Sequence, residues 1–198
     1  MKEIINLTDN LFIASGGERD CYSHPLDNTK ILKIIKNKNF SRYQNELEYR
    51  YLKSLETRKI PFSHIVKTYG FVDTNLGKAL INEKICNFDK QISETFRKSI
   101  IEKKFTQNEE NNLINELKEY IFNYDILFLD VNLSNVLCCE YEKDMFKLIL
   151  IDGVGTARDM IRANLYKIFK SYTKYKIKKQ WKVFINNINK ARSLKQEY

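Results

Sequence analysis

The chain is poor in the residues that cross-link, coordinate metals or break elements. Four cysteines, Cys21, Cys86, Cys138 and Cys139, form no Cys-x-x-Cys pair and are joined by only two histidines. That excludes a zinc ribbon and a disulfide framework, and reduced thiols in a cytoplasmic protein are expected. Proline occurs twice, at Pro25 and Pro61, both where elements should break. No apolar run approaches the roughly 18 residues of a membrane span. Met1-Lys2-Glu3-Ile4-Ile5-Asn6 lacks the apolar core of a signal peptide, so neither a transmembrane segment nor export is expected. No internal repeat is present, and only the polar run 106–112 reads as a low-complexity connector. What remains is a globular composition, 43% hydrophobic and 30% charged over 198 residues. It suits one compact domain or two small lobes sharing a cleft.

Charge is unevenly distributed. The segment 158–198 carries 12 Lys/Arg against Asp159 and Glu197, a balance of +10 within a total of +9, so residues 1–157 sum to about −1. The basic character therefore belongs to the C-terminal segment. A solvated helical surface explains it, as does a docking face for nucleic acid, a membrane surface or another phosphate-rich partner.

Periodicity places the elements. Leu11–Ala14 and Asp20–Ser23 read as strands around the turn Ser15-Gly16-Gly17-Glu18, and Lys30–Ile35 as a third strand. Tyr43, Leu47, Tyr51, Leu52 and Leu55 recur at helical spacing within Phe40–Glu56. Ile65–Val72 and Ala79–Ile85 complete a lobe of five strands and one helix, with the boundary near Asn87-Phe88. Residues 1–87 thus form a β-rich lobe and 88–198 a mostly helical one. In the second, Ile92–Phe105 and Asn111–Phe122 read as helices, Ile126–Asp152 as a strand-rich section, and Ala157–Arg192 as two helices.

The stretch from Ile126 to Leu137, Ile-Leu-Phe-Leu-Asp-Val-Asn-Leu-Ser-Asn-Val-Leu, is answered by Leu148-Ile-Leu-Ile-Asp152-Gly153. An aspartate, four residues, an asparagine, two apolar strands and Asp-Gly make the catalytic-loop and metal-loop pattern of kinase-like phosphotransferases. Phosphoryl transfer needs a carboxylate near the acceptor hydroxyl and oxygens that hold magnesium on the phosphates. Asp130, Asn135 and Asp152 have those chemistries in that order. A charge beside Ile126–Leu129 is costly to bury unless paired, so Asp130 belongs at a strand end or in a site.

The order of parts resembles a miniature kinase-like fold, and more narrowly the YrbL family of small bacterial proteins. The resemblance rests on Arg19-Asp-Cys-Tyr-Ser-His24-Pro25, Ile31-Leu-Lys33-Ile34, Asn45-Glu-Leu-Glu-Tyr49 and Asn132-Leu-Ser-Asn135-Val-Leu137. It implies that Lys33 reaches the α/β-phosphates of ATP and is held by a carboxylate of the next helix. Glu46 matches that role best; Glu48 lies two residues on and points elsewhere on a helix. It further implies Asp130 as the group that takes the acceptor's proton, and Asn135 and Asp152 as Mg²⁺ ligands. Gly16 and Gly17 would let the turn backbone approach the nucleotide. Glu83 and Ile85 would offer backbone groups to adenine. His24, next to Pro25, reads as a turn histidine.

The departures are specific. Phe128-Leu129 stands where many kinases have His-Arg, and Asn132 where protein kinases have a lysine, so a positive charge is missing where negative charge moves. Asp152-Gly153-Val154 replaces Asp-Phe-Gly, and about forty-five residues follow Asp152. The expected fold is therefore α+β, two-lobed and protein-kinase-like, with a shortened C-terminal lobe. The expected function is ATP/Mg²⁺-dependent phosphoryl transfer to a hydroxyl of unknown identity, on an acceptor that is anionic in one version: a glycan, lipid or protein. The alternative is a pseudokinase, a nucleotide-responsive regulatory module.

Overall fold

The computed structural model describes residues 4–36, 43–155 and 170–194. The chain divides into two compact units, one of residues 1–60 and 66–84, the other of 61–65 and 85–198.

The first unit is a five-stranded antiparallel sheet of β1 (Phe12–Ser15), β2 (Arg19–Ser23), β3 (Lys30–Ile35), β4 (Thr68–Thr74) and β5 (Gly77–Glu83), in the order β1-β2-β3-β5-β4. Besides a 3₁₀ turn at Asp9–Leu11, its one described α-helix is α1 (Gln44–Thr57). The β2-β3-β5 registers, with Cys21 opposite Lys33 and Lys33 opposite Leu80, decide which side chains share a face. Strand period two sends Leu32, Ile34 and Ala79 to one side, where they pack with Ile5 and Leu7. Arg19, Lys33 and Asn82 go to the other side. The side chains of α1 that are fully buried are Asn45, Glu48, Leu52 and Leu55, a spacing of three and four. Two polar residues thus occupy the same helical face as two core leucines.

The second unit has a three-stranded sheet of β6 (Glu94–Thr95), β7 (Val136–Glu142) and β8 (Met145–Leu150) with helices α2 (Phe96–Ile101), α3 (Gln107–Asn123) and α4 (Lys170–Ser193). Ile65, Phe96, Leu117, Ile121, Ile126, Leu148, Leu150 and Phe184 are its largest fully buried side chains. Strand β8 ends at Leu150, whose amide donates to His64 O. The α4 helix docks through Ile177, Phe184, Ile188 and Ala191, all buried, with Phe184 edge-on to Phe128 at 5.6 Å. The lysines Lys174, Lys178 and Lys182 lie on its exposed flank. An Arg192–Glu110 ion pair ties its end to α3, with Nε 2.8 Å from Oε1.

Several sequence expectations are corrected. The run 106–112 is no connector: Thr106 and Glu109 form a reciprocal capping box that starts α3. The helix expected over Ile92–Phe105 is the short α2, because Glu94 and Thr95 first pair with β7 and Thr95 then caps the helix. The apolar residues Ile126–Leu129 form a buried loop whose only ladder contact among the described residues is a Phe128–Val154 bridge. The hairpin tip falls at residues 143–144, with Asp144 at φ +61°. The first of the two helices expected in the tail falls largely on residues 156–169, outside the described residues.

Candidate functional site

In the first unit the sheet face beneath α1 carries one polar cluster. Lys33 is 3% exposed and Glu48 is fully buried. Lys33 Nζ lies 2.9 Å from Glu48 Oε1, the same oxygen that accepts from Asn82 Nδ2 at 2.8 Å. Glu48 Oε2 accepts from Arg19 Nη1 at 2.6 Å. Asn45 closes the ring: its Oδ1 accepts from Arg19 at 3.0 Å and its Nδ2 donates to Lys33 O at 2.9 Å. Such a network fixes the lysine's position, since charge-assisted hydrogen bonds of 2.6–3.0 Å hold it in a dry environment.

The carboxylate on Lys33 is therefore Glu48, and the expected Lys33–Glu46 pair is corrected. Stepping back from the core leucines Leu52 and Leu55 by four and seven residues reaches Glu48. Glu46 lies some 200° away around the helix, by the 100° advance per residue. The phase of the leucines was the available signal. Arg19, Asn45 and Asn82 are the members of this cluster that residue types and spacing did not single out.

Gly16 and Gly17 form the β1–β2 turn. The Gly16 amide donates to Arg19 O at 2.8 Å and its carbonyl accepts from Lys36 Nζ at 2.6 Å. A Cβ on Gly17 would meet nothing within 4 Å, and neither glycine has a positive φ. The space around position 17 does not require glycine there. Glu83 ends β5 with its amide donating to Lys67 O, and Ile85 opens the second unit with its carbonyl accepting from Ser93. His24 Nδ1 accepts from the Leu26 amide at 3.2 Å, a turn role, and burial lowers its pKa.

In the second unit Asp130, Asn135 and Asp152 are brought together by one interlock. Asn135 Nδ2 donates at 3.0 Å to both the main-chain oxygen and Oδ2 of Asp130. The Gly153 carbonyl accepts from the amides of Leu129, at 2.7 Å, and Asp130, at 3.1 Å. The Ile151 amide donates to Asn135 O at 2.9 Å. Gly153 has φ +75°, and a Cβ there would fall 2.5 Å from Asp130 O. Only glycine lets the two loops lie this close. Asp130 is exposed and Asp152 half-buried. Asn132 caps the following 3₁₀ turn by accepting from the Ser134 amide at 3.0 Å.

Asn135 spends its amide nitrogen on Asp130, so its Oδ1 is the oxygen that could accept a cation. Asp152 spends Oδ1 on its neighbour's amide at 2.7 Å. A hard cation held by one or two protein oxygens and shared with phosphate fits this donor set. Among the described residues no three His, Cys, Asp or Glu side chains converge on a self-sufficient metal site.

Beside Asp130 the same unit has an open cleft of about 600 Å³. Its floor is the loop 129–133, its wall is α4, and Arg97 of α2 stands at its edge. The α4 wall is bonded to that floor: Gln180 Nε2 donates to Leu129 O, and Asn187 Nδ2 to Val131 O at 3.0 Å.

Comparison with known proteins agrees with this architecture. The family model for PhoP regulatory network protein YrbL matches residues 5–189. The uncharacterized protein YrbL of Escherichia coli (strain K12) is 23% identical over 155 residues, 77% of this chain and 74% of its own. Its Shigella flexneri counterpart matches to the same extent. Among solved structures, the crystal structure of Rad53 1-466 in complex with AMP-PNP aligns with TM-score 0.52 and 14% identity. That match covers 72% of this chain and 37% of the Rad53 chain, and it shows a shared kinase-like fold.

Proposed function

The chain belongs to the PhoP regulatory network protein YrbL family and has a kinase-like fold, and on that footing we propose that it is an ATP- and Mg²⁺-dependent phosphotransferase acting on a hydroxyl. The observation that carries the reading is the Asp130–Asn135–Gly153 interlock, which fixes a proton-accepting carboxylate beside two oxygen donors. The Rad53 structure that shares the fold was solved with AMP-PNP, which supports a nucleotide as the other substrate. Lys33, fixed by Glu48, supplies the positive charge for the α/β-phosphates. Gly17 leaves the β1–β2 turn bare for close approach, and Glu83 and Ile85 offer backbone groups to adenine. Asn135 and Asp152 would hold Mg²⁺, which when bound neutralises charge on the phosphate oxygens.

In the transfer step the acceptor oxygen forms a bond to Pγ. The bond from Pγ to the β,γ-bridging oxygen breaks, and its electron pair leaves with ADP. The acceptor's proton passes to the Asp130 carboxylate and then to water. The four free cysteines favour a reducing compartment, the cytoplasm.

Asn132 favours a second reading. Its side chain is used as a cap where a kinase would place a cation, which is compatible with a nucleotide-binding regulator that transfers nothing. Incubation with γ-labelled ATP and Mg²⁺ separates the two. Label should move to the protein, an extract fraction or a lipid fraction, and Asp130→Asn should lower transfer about 10²–10⁴-fold. Nucleotide binding without transferred label, or equal label from Asp130→Asn, would leave the regulator as the function.

A further inference from the structure

We infer that the cleft between the loop 129–133 and α4 is the acceptor site, and that it takes a small polyhydroxylated acceptor carrying a phosphate or carboxylate group. The inference rests on Asp130 being the proton acceptor and adds the class of substrate.

Size comes first. About 600 Å³ matches a small-molecule site, whose usual range is roughly 300–1,000 Å³. The charge pattern comes second. Among the described residues lining the cleft Asp130 is the sole carboxylate, and two cations line it as well, Arg97 and Lys190. Both are exposed, and neither has an ion-pair partner among the described residues. Lys98, one residue from Arg97, is by contrast paired with Glu94 and Glu102. An arginine and a lysine from different helices, both lining one cavity and neither ion-paired among the described residues, suit a ligand anion. Arginine adds the planar fork that phosphate and carboxylate match.

The polar lining comes third. Gln180 and Asn187 donate their amide nitrogens to the floor, so their carbonyl oxygens are the ends left to accept from hydroxyls. An acceptor bound here would present one hydroxyl to Asp130, others to these oxygens, and its anion to Arg97 and Lys190. The anion must keep away from Asp130, because like charges repel. That requirement orients the ligand.

The helix face explains the design. Gln180, Val183, Asn187, Lys190 and Leu194 recur at three- and four-residue spacing along α4 and line the cleft. This is a different stripe from the buried Ile177–Phe184–Ile188 row and from the exposed Lys174–Lys178–Lys182 row. One helix therefore packs, lines and faces solvent with three separate stripes.

The test is equilibrium binding to the full chain without nucleotide, using glucose 6-phosphate, glycerol 3-phosphate and gluconate against glucose and glycerol. At least one charged probe should bind and the neutral ones should bind at least about tenfold more weakly. The double variant Arg97→Gln/Lys190→Gln should lose charged-probe binding by about tenfold or more, with Arg97→Lys keeping part of it. Neutral probes binding as well as charged ones would overturn the proposal. So would undiminished binding to the double variant, or no charged probe binding at millimolar concentration. ATP–Mg²⁺ titrated into the wild type reads the kinase assignment separately. If ATP fails to bind while charged probes bind through Arg97 and Lys190, the phosphotransferase reading falls and the anion site stands.

Discussion

At the scale of single residues, Glu48 holds the first unit's chemistry. It is fully buried and contacts two cations and an amide. Removing one partner of a buried charge cluster costs more than the cluster contributes, because the remaining charges face a dry surrounding. Glu48→Gln should therefore destabilise the protein by about 3–5 kcal/mol. Glu46→Gln should cost no stability, since Glu46 Oε2 is buried without a hydrogen-bond partner among the described residues and the substitution removes an unpaired buried charge. Urea unfolding midpoints of the two variants measure the difference, and equal shifts would show that Glu48 does not anchor Lys33. Lys33 and a nearby helical carboxylate were legible from the resemblance. Which carboxylate was not, because motif matching ignores helical phase, and the phase is set by Leu52 and Leu55 packing on the sheet. Asp130, Asn135 and Asp152 were legible from their spacing, since a short interlock of adjacent loops leaves its order in the chain.

At the scale of elements, two glycine turns make opposite demands. Gly153 carries a positive φ, and any Cβ on it collides with the main chain of Asp130. Gly153→Ala should push the loop 129–135 aside, cost about 1–3 kcal/mol and abolish ATP-dependent transfer. Gly17 has open space and an ordinary φ, so Gly17→Ala should leave thermal stability within about 0.5 kcal/mol while weakening ATP binding. Thermal melts and nucleotide titrations on both variants decide it. A stable, active Gly153→Ala protein would show that the interlock is dispensable. The strands β2 and β3 and the α4 docking row were readable from period two and period 3.6. The start of α3 was missed because its capping box, Thr106 and Glu109, lies in a polar run that composition alone marks as a connector. The buried loop Ile126–Leu129 was missed as well. A short apolar run looks the same whether it makes a ladder or lies under a helix.

At the scale of the whole molecule, the net charge of +9 has a location in the sequence, the segment 158–198. The described part of the basic segment is α4, and none of the described helices is long and apolar enough to cross a membrane. Its lysine row, Lys174, Lys178 and Lys182, is exposed and separate from the stripe lining the acceptor cleft. Charges so placed act at a distance: they raise the local concentration of an anion without touching it once bound. Reversing all three to glutamate changes six charge units, taking the total from +9 to +3. Since the row is exposed, the variant should fold. Transfer to an anionic acceptor, or binding of a charged probe, should fall several-fold at low ionic strength. The difference from wild type should vanish near 1 M salt, where the screening length shrinks to about 3 Å. Arg97→Gln/Lys190→Gln should retain part of its defect at that salt, because its charges meet the ligand directly. A triple variant identical to wild type at low salt would make the row a solvated surface only. A loss that persists undiminished at high salt would instead place these lysines in direct contact with the acceptor.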